Sequence, residues 1–359
     1  MVFQKHNWIG KPAVETLCIL LLPFFCCLLI FFLPNSIIDT DILPDFAWLI
    51  LVVFIDVGHV YSTFYRTYTD KSLVLKYKNL FFGLPLLLLM ASILLHSVNG
   101  MLFWRCLAYM AVFHFIRQQY GFLRIYSRKN NYPAYKLRFD AFTIYSITLL
   151  PVLFWHFAGD RNFNWFLKGD FFQFGASTLL PTLIIVLFWT IIALYILSEA
   201  LFFIRTREIN LQKNAIISGT ALSWYIGIVL FNSDIVFTLL NIICHGIPYM
   251  ALVWIHGKKA NSGSGSATFL KIIYGRFSFL LFLLPLLVMA LLEEGLWDTF
   301  VWKEHSGLFN WLHFREFLVP KSVLNILVPL LALPQLFHYV IDGHIWKLKK
   351  DKFEWTKIL

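Results

Sequence analysis

The sequence predicts an all-α integral membrane protein, a polytopic bundle of about ten transmembrane helices in a single domain spanning 1–359. Three observations predict it. The chain is 59% hydrophobic and only 14% charged, with a mean hydropathy of +0.70, where a soluble domain carries about a quarter charged residues. Its apolar residues gather in runs near the roughly 20 residues that cross a bilayer. Its basic residues recur in alternate connecting loops.

Taken in order, the candidate helices are 15–34, 47–67, 79–98, 101–123, 139–158, 177–204, 214–231, 235–256, 276–293 and 322–346. The first follows Lys5 and Lys11 as a signal peptide would, but it lacks a small-residue cleavage site and reads as a retained helix. Basic clusters follow the second (Arg66, Lys71, Lys76, Lys78), fourth (Arg124, Arg128, Lys129, Lys136, Arg138) and sixth (Arg205, Arg207, Lys213). Others follow the eighth (Lys258, Lys259, Lys271) and tenth (Lys347, Lys349, Lys350, Lys352). The intervening loops are acidic, short or mixed, so the positive-inside rule places both the N- and C-termini in the cytoplasm. The stretch 257–270, with its Gly/Ser run at 262–266, reads as a flexible cytoplasmic loop.

The net charge of +10 lies in these short loops and not on a basic soluble domain, so it sets topology and points to no nucleic-acid partner. Cys18, Cys26, Cys27, Cys106 and Cys244 sit inside apolar segments and read as small hydrophobes. There is no Walker A loop, G-x-S-x-G elbow or C-x-x-C-H haem motif. The aspartate-rich motifs of prenyltransferases and the clustered histidine boxes of membrane desaturases are also absent.

Four polar clusters interrupt the apolar segments: Asp56-Val57-Gly58-His59, His114-Phe115-Ile116-Arg117-Gln118, Asn241-Ile242-Ile243-Cys244-His245, and His338 with Asp342. Their helices all run the same way across the membrane, and at about 1.5 Å per residue the histidine depths agree within roughly two or three turns. Each histidine shares a helix face with polar company: Asp56, Thr63 and Arg66 with His59, Gln118 with His114. Asn241, Tyr249 and His256 accompany His245, and Gln335 and Asp342 accompany His338. A carboxylate at membrane depth costs at least about 2.5 kcal/mol on insertion scales, so Asp56 and Asp342 must be paired, protonated or metal-bound. Imidazole with carboxylate is a donor set of non-haem iron, and imidazole also suits copper and zinc. The expectation is a shared metal site of one or two ions in the cytoplasmic half, held by His59, His114, His245 and His338, with Asp56 and Asp342 as ligands or orienting groups.

At these clusters the chain resembles the bacterial membrane carotene-cleaving dioxygenases of the Brp/Blh type. The motifs of that family look like PHGxxD, HFxxxD, a His-rich stretch ending in Val-Trp, and PHxxxxD. Gly58-His59 is similar to the first and His114-Phe115 to the second. Cys244-His245 through Val253-Trp254 is similar to the third, and His338 through Asp342 to the last. The chain departs from the pattern in placing Asp56 before the first histidine and Gln118 and Gln119 where an acid belongs. Tyr249 or His256 stands in for a second histidine, and His338 and Asp342 are four apart, not five. The resemblance implies iron as cofactor, molecular oxygen as cosubstrate, histidine ligands and a bacterial inner-membrane setting.

The functional expectation is therefore a membrane-embedded non-haem iron oxygenase or oxidoreductase acting on a lipophilic substrate reached through the bilayer, with an electron donor as a further partner. Tyr249, Arg117 and Gln118 are the candidate catalytic groups, and Arg66, Asn241 and His256 the candidate substrate contacts. Two alternatives stand beside it: a proton- or metal-ion-coupled transporter using the same residues, and a haem-bearing electron-transfer protein, whose bis-histidine ligands need no local motif.

Overall fold

The computed structural model describes residues 2–3, 7–39, 43–175, 179–260, 268–275, 278–310, 319–348, 353 and 355–358. These residues are almost entirely helical; the strand among them is a two-residue parallel pairing of Val2–Phe3 with Glu208–Ile209.

Seven described helices are long and apolar enough to cross a membrane: Asp45–Arg66, Asn79–Val98, Ala134–Phe157, Leu179–Thr206, Asp234–Ala260, Phe279–Trp302 and Lys321–Ile345. The pair Pro12–Leu20 and Leu22–Phe32, bent by 51°, makes an eighth if it is one span. The expected count of ten is thus not confirmed among the described residues. Gly100–Ile125 and 211–230 are helical where spans four and seven were placed, but they are not among the seven. Arg105, Arg117 and Arg124 dilute the first of these, and Gln212, Lys213 and Asn214 the second.

Two boundaries also move. The ninth helix does not stop at Glu293 but runs through Glu294 to Trp297 and on to Trp302. Of the expected loop 257–270, residues 257–260 end the helix Cys244–Ala260, and Thr268–Ile273 is a short helix. The Gly/Ser run 262–266 lies outside the described residues, as do His6 and His313.

Local chemistry accounts for several helix starts. Asp70 accepts hydrogen bonds from the backbone of Ser72 (2.9 Å) and Leu73 (3.2 Å), capping Lys71–Lys76. Asn210 accepts from the backbone of Lys213 at 2.9 Å and caps Leu211–Trp224. Pro12 occupies the first turn of Pro12–Glu15, where no intrahelical N–H is lost. Several spans contain π-helical stretches. Leu49–Val57 ends one residue before Gly58-His59, and Thr238–Ile243 ends just before Cys244-His245. Such wide turns are rare and rotate every side chain that follows.

Contacts within the chain gather it into two compact units. The first comprises Met1–Ile42 and Val112–His245, the second Leu43–Ala111 and Gly246–Leu359. In the first unit, Asn7 donates to the Tyr126 carbonyl (2.9 Å) and to Asn130 (3.0 Å). Asn210 donates to the same two groups at 2.8 and 2.7 Å. Three segments that the charge rule assigns to one side of the membrane are thereby tied together. Gly219 sits against Pro23, so the helices 211–230 and Leu22–Phe32 approach closely at this position.

Two residues counted above as loop charges are buried in this unit. Lys136 and Lys213, 1% and 0% exposed, pair with Asp140 at 2.6 and 3.2 Å, and both pair with Glu199. Two ammonium groups and two carboxylates cancel inside the bundle, which gives Glu199 the partner that its place in an apolar span demands.

Candidate functional site

In the second unit the helix Asp45–Arg66 brings His59, the helix Lys321–Ile345 brings His338 and Asp342, and the helix ending at Ala260 brings Tyr249. All four side chains are buried, at 1%, 0%, 8% and 1% exposure. The His59 and His338 rings meet edge to face, 5.0 Å between centroids, and Tyr249 stands 5.9 and 4.9 Å from them. Asp56 approaches the Nδ1 of His59 at 3.5 Å, and Asp342 lies 3.7 Å from the Nδ1 of His338.

A hydrogen-bonded chain runs through the cluster. The Tyr249 hydroxyl donates to Asp342 Oδ1 at 2.6 Å. Thr63 Oγ1 lies 2.9 Å from the Tyr249 hydroxyl and 2.7 Å from His338 Nδ1. Tyr249 has one proton, and the carboxylate takes it. Thr63 then donates to Tyr249 and accepts from the Nδ1–H of His338. This direction places the ring lone pair of His338 on Nε2, and a hydrogen bond of this kind orients a ligating imidazole. The sequence places Thr63 on the stripe of His59, but its tie to His338 arises only between helices.

Gly246 packs against the same helix as His59. A Cβ at this position would lie 3.1 Å from the Ile55 carbonyl oxygen and 3.3 Å from His59 Nδ1. The walls around Tyr249 are apolar, with Val53, Val57, Tyr61 and Val253 in one buried cluster.

The other two histidines form a second pair in the first unit. The His114 and His245 rings also meet edge to face, 5.0 Å between centroids, and Phe115 stacks on His245 at 3.5 Å. Gln118 donates to the His245 carbonyl at 2.9 Å.

Several expected site residues are engaged elsewhere. Arg117 is exposed, donates to the Tyr145 hydroxyl at 2.6 Å and lies over the Tyr120 ring. Asn241 donates to the Phe237 carbonyl in its own helix at 3.3 Å and is hemmed in by Gly227, where a Cβ would fall 2.3 Å from its amide nitrogen. Arg66 donates to the Phe353 carbonyl at 2.9 Å and lies over the Trp346 ring, against which His256 also packs at 5.6 Å. The Trp346 ring joins these two to the site, since its Nε1 donates to the Tyr249 hydroxyl at 3.4 Å. His344 is exposed and contacts its own helix at the Val340 carbonyl.

The sequence reading missed Glu293 and Glu294, which it put at the helix end. Both are buried, at 5% and 8% exposure. Glu293 accepts from the Tyr61 hydroxyl and from Trp297 Nε1 (3.3 Å). Asp298, also buried, accepts from the His305 backbone at 2.6 Å. The signal in the sequence was mixed: Gly295 follows the acidic pair as a stop would, but Glu293 and Trp297 keep helical spacing and no glycine or proline lies between Leu296 and Trp302.

Comparison with family models, with curated proteins and with solved structures finds no match.

Proposed function

We propose that this chain is a membrane-embedded, metal-dependent oxidoreductase acting on a lipophilic substrate, with His59 and His338 as metal ligands. The observation that carries the reading is the buried meeting of these two imidazoles, from two different spans, beside Asp56, Asp342 and Tyr249. The donor set of imidazole and carboxylate, with no cysteine among the donors, fits iron and argues against a purely thiolate-loving metal. Asp342 and Asp56 would complete or orient the ligands. Bound there, iron would supply one-electron redox chemistry and a binding position for molecular oxygen.

The protein's own groups have separable tasks in this proposal. Thr63 holds the His338 ring and its tautomer. Asp342 accepts the Tyr249 hydrogen bond in the resting arrangement, so Tyr249 is a donor poised beside the imidazoles. The apolar walls of Val53, Val57 and Val253 exclude water and suit a hydrocarbon substrate entering from the bilayer. The pair His114 and His245 is a second candidate ligand pair, in the first unit. A bacterial inner membrane and an electron donor belong to the same proposal.

Metal analysis of the full chain, purified after expression with abundant iron, tests it. Near-stoichiometric iron is expected in the wild type and in His344→Ala, with loss in His59→Ala and His338→Ala. Folded wild-type protein without metal, or metal retained in both histidine variants, overturns it.

The buried carboxylates Glu293, Glu294 and Asp298 in the second unit, with the partly exposed Asp56, favour a second reading, a proton or cation path, since ionisable groups inside a membrane mark such paths. Proteoliposome flux that disappears in Glu294→Gln and persists in His338→Ala would decide for it.

A further inference from the structure

Beyond the histidine clusters, the first unit carries a cavity of about 820 Å³ whose lining separates into an apolar strip and a polar end. The strip follows the helix Leu179–Thr206: Leu194, Leu197 and Leu201 recur at helical spacing on one face, with Phe139 opposite from the helix Ala134–Phe157. The polar end follows directly, with Arg205 and Thr206 closing the helix and Asn131 across from them. From Leu194 to Arg205 is about 16 Å along the axis, close to the roughly 15 Å depth of one hydrocarbon leaflet.

The charges in the cavity are unequal in availability. Lys136 lines it but is committed to Asp140 and Glu199. Arg205 is exposed and makes no ion pair among the described residues. Exposed Arg138 and Arg207 lie next in sequence to lining residues Phe139 and Thr206, against the single lining carboxylate Glu208. A leaflet-deep apolar strip that ends on an exposed guanidinium, without an ion pair among the described residues, complements a molecule with one long hydrocarbon chain and an anionic head.

We propose that this groove is a binding site for an anionic glycerophospholipid, one acyl chain lying along Leu194, Leu197 and Leu201 and the phosphate head meeting Arg205. The proposal is independent of the metal reading. A bilayer-facing groove without selectivity would hold zwitterionic and anionic lipids alike; Arg205 predicts a preference.

The test is lipid carry-over. The full chain is reconstituted in nanodiscs of equal phosphatidylglycerol and phosphatidylcholine, extracted into mild detergent, and the retained lipid is quantified by mass spectrometry. Enrichment of phosphatidylglycerol by about fivefold is expected, the scale of one basic residue acting near a membrane surface. Arg205→Gln should keep lipid and lose the enrichment. Leu197→Trp, which fills the strip, should lose the retained lipid. Leu187→Trp, on the same helix but outside the groove, should behave as wild type, and matched thermal unfolding verifies that all variants are folded. Absence of enrichment in the wild type, or enrichment that survives either Arg205→Gln or Leu197→Trp, overturns the proposal.

Discussion

Removing the Tyr249 hydroxyl and the Thr63 hydroxyl, singly and together, measures whether the chain from His338 to Asp342 works as one unit. Tyr249→Phe keeps the ring in its buried cluster and deletes the 2.6 Å bond to Asp342 and the 2.9 Å bond to Thr63. A hydrogen bond to a charged group is worth about 1.5–3 kcal/mol, while hydrogen bonds between membrane helices average about 0.6 kcal/mol because the unfolded helices find other partners. With Asp342 left buried and short of a donor, a cost of about 2 kcal/mol is expected. Thr63→Val keeps the shape and deletes the neutral bonds to Tyr249 and His338, costing about 1–1.5 kcal/mol. If the two hydroxyls share one chain, the second deletion removes a group whose partner is already lost. The double variant should then fall short of the sum by about 0.5–1 kcal/mol. The assay is equilibrium unfolding in mixed micelles, followed by helical circular dichroism, for the wild type and all three variants. Additivity within about 0.3 kcal/mol, the behaviour of independent sites, would refute the linked chain and with it the assignment of the His338 tautomer.

Other perturbations follow from the same packing. Gly246→Ala puts a Cβ within 3.3 Å of His59 Nδ1. It should cost about 1 kcal/mol of stability and lower iron content more than that loss explains, read by metal analysis on folded protein. Gly257→Ala places its Cβ 2.0 Å from the Tyr274 ring, so destabilisation of about 3 kcal/mol is expected. Tyr274→Leu in the same chain should recover part of it in the same unfolding assay. Lys213→Met leaves Lys136 alone with Asp140 and Glu199 and should cost about 3–5 kcal/mol, as breaking a buried pair does. Adding Glu199→Gln, which restores neutrality, should return at least half of that.

Much of the fold was legible because hydropathy is a property of a segment. Transfer cost accumulates along a run of residues whichever way the side chains point, so the apolar spans fall close to where the sequence puts them. The same indifference to direction produced the errors. The positive-inside rule counts Lys136 and Lys213 as loop charges, yet both turn inward to Asp140 and Glu199. Counting apolar residues ends the ninth helix at its first acid, yet Glu293 is accommodated because Tyr61 and Trp297 donate to it. Arg117 shares a polar cluster with His114 in the sequence, but its guanidinium is exposed and donates to the Tyr145 hydroxyl.

The sequence alone determined the membrane class, the position of most spans and the spacing that puts Asp342 on the face of His338 and Asp56 on that of His59, because i to i+3 and i to i+4 neighbours are set by helix geometry itself. Only the tertiary structure decided that His59 meets His338, that His114 meets His245, and that Thr63 and Tyr249 join His338 to Asp342. Those meetings depend on how far each helix is rotated about its axis. π-helical stretches such as Leu49–Val57 and Thr238–Ile243 change that rotation just before His59 and His245, and no residue spacing within a single helix encodes which neighbour it will face.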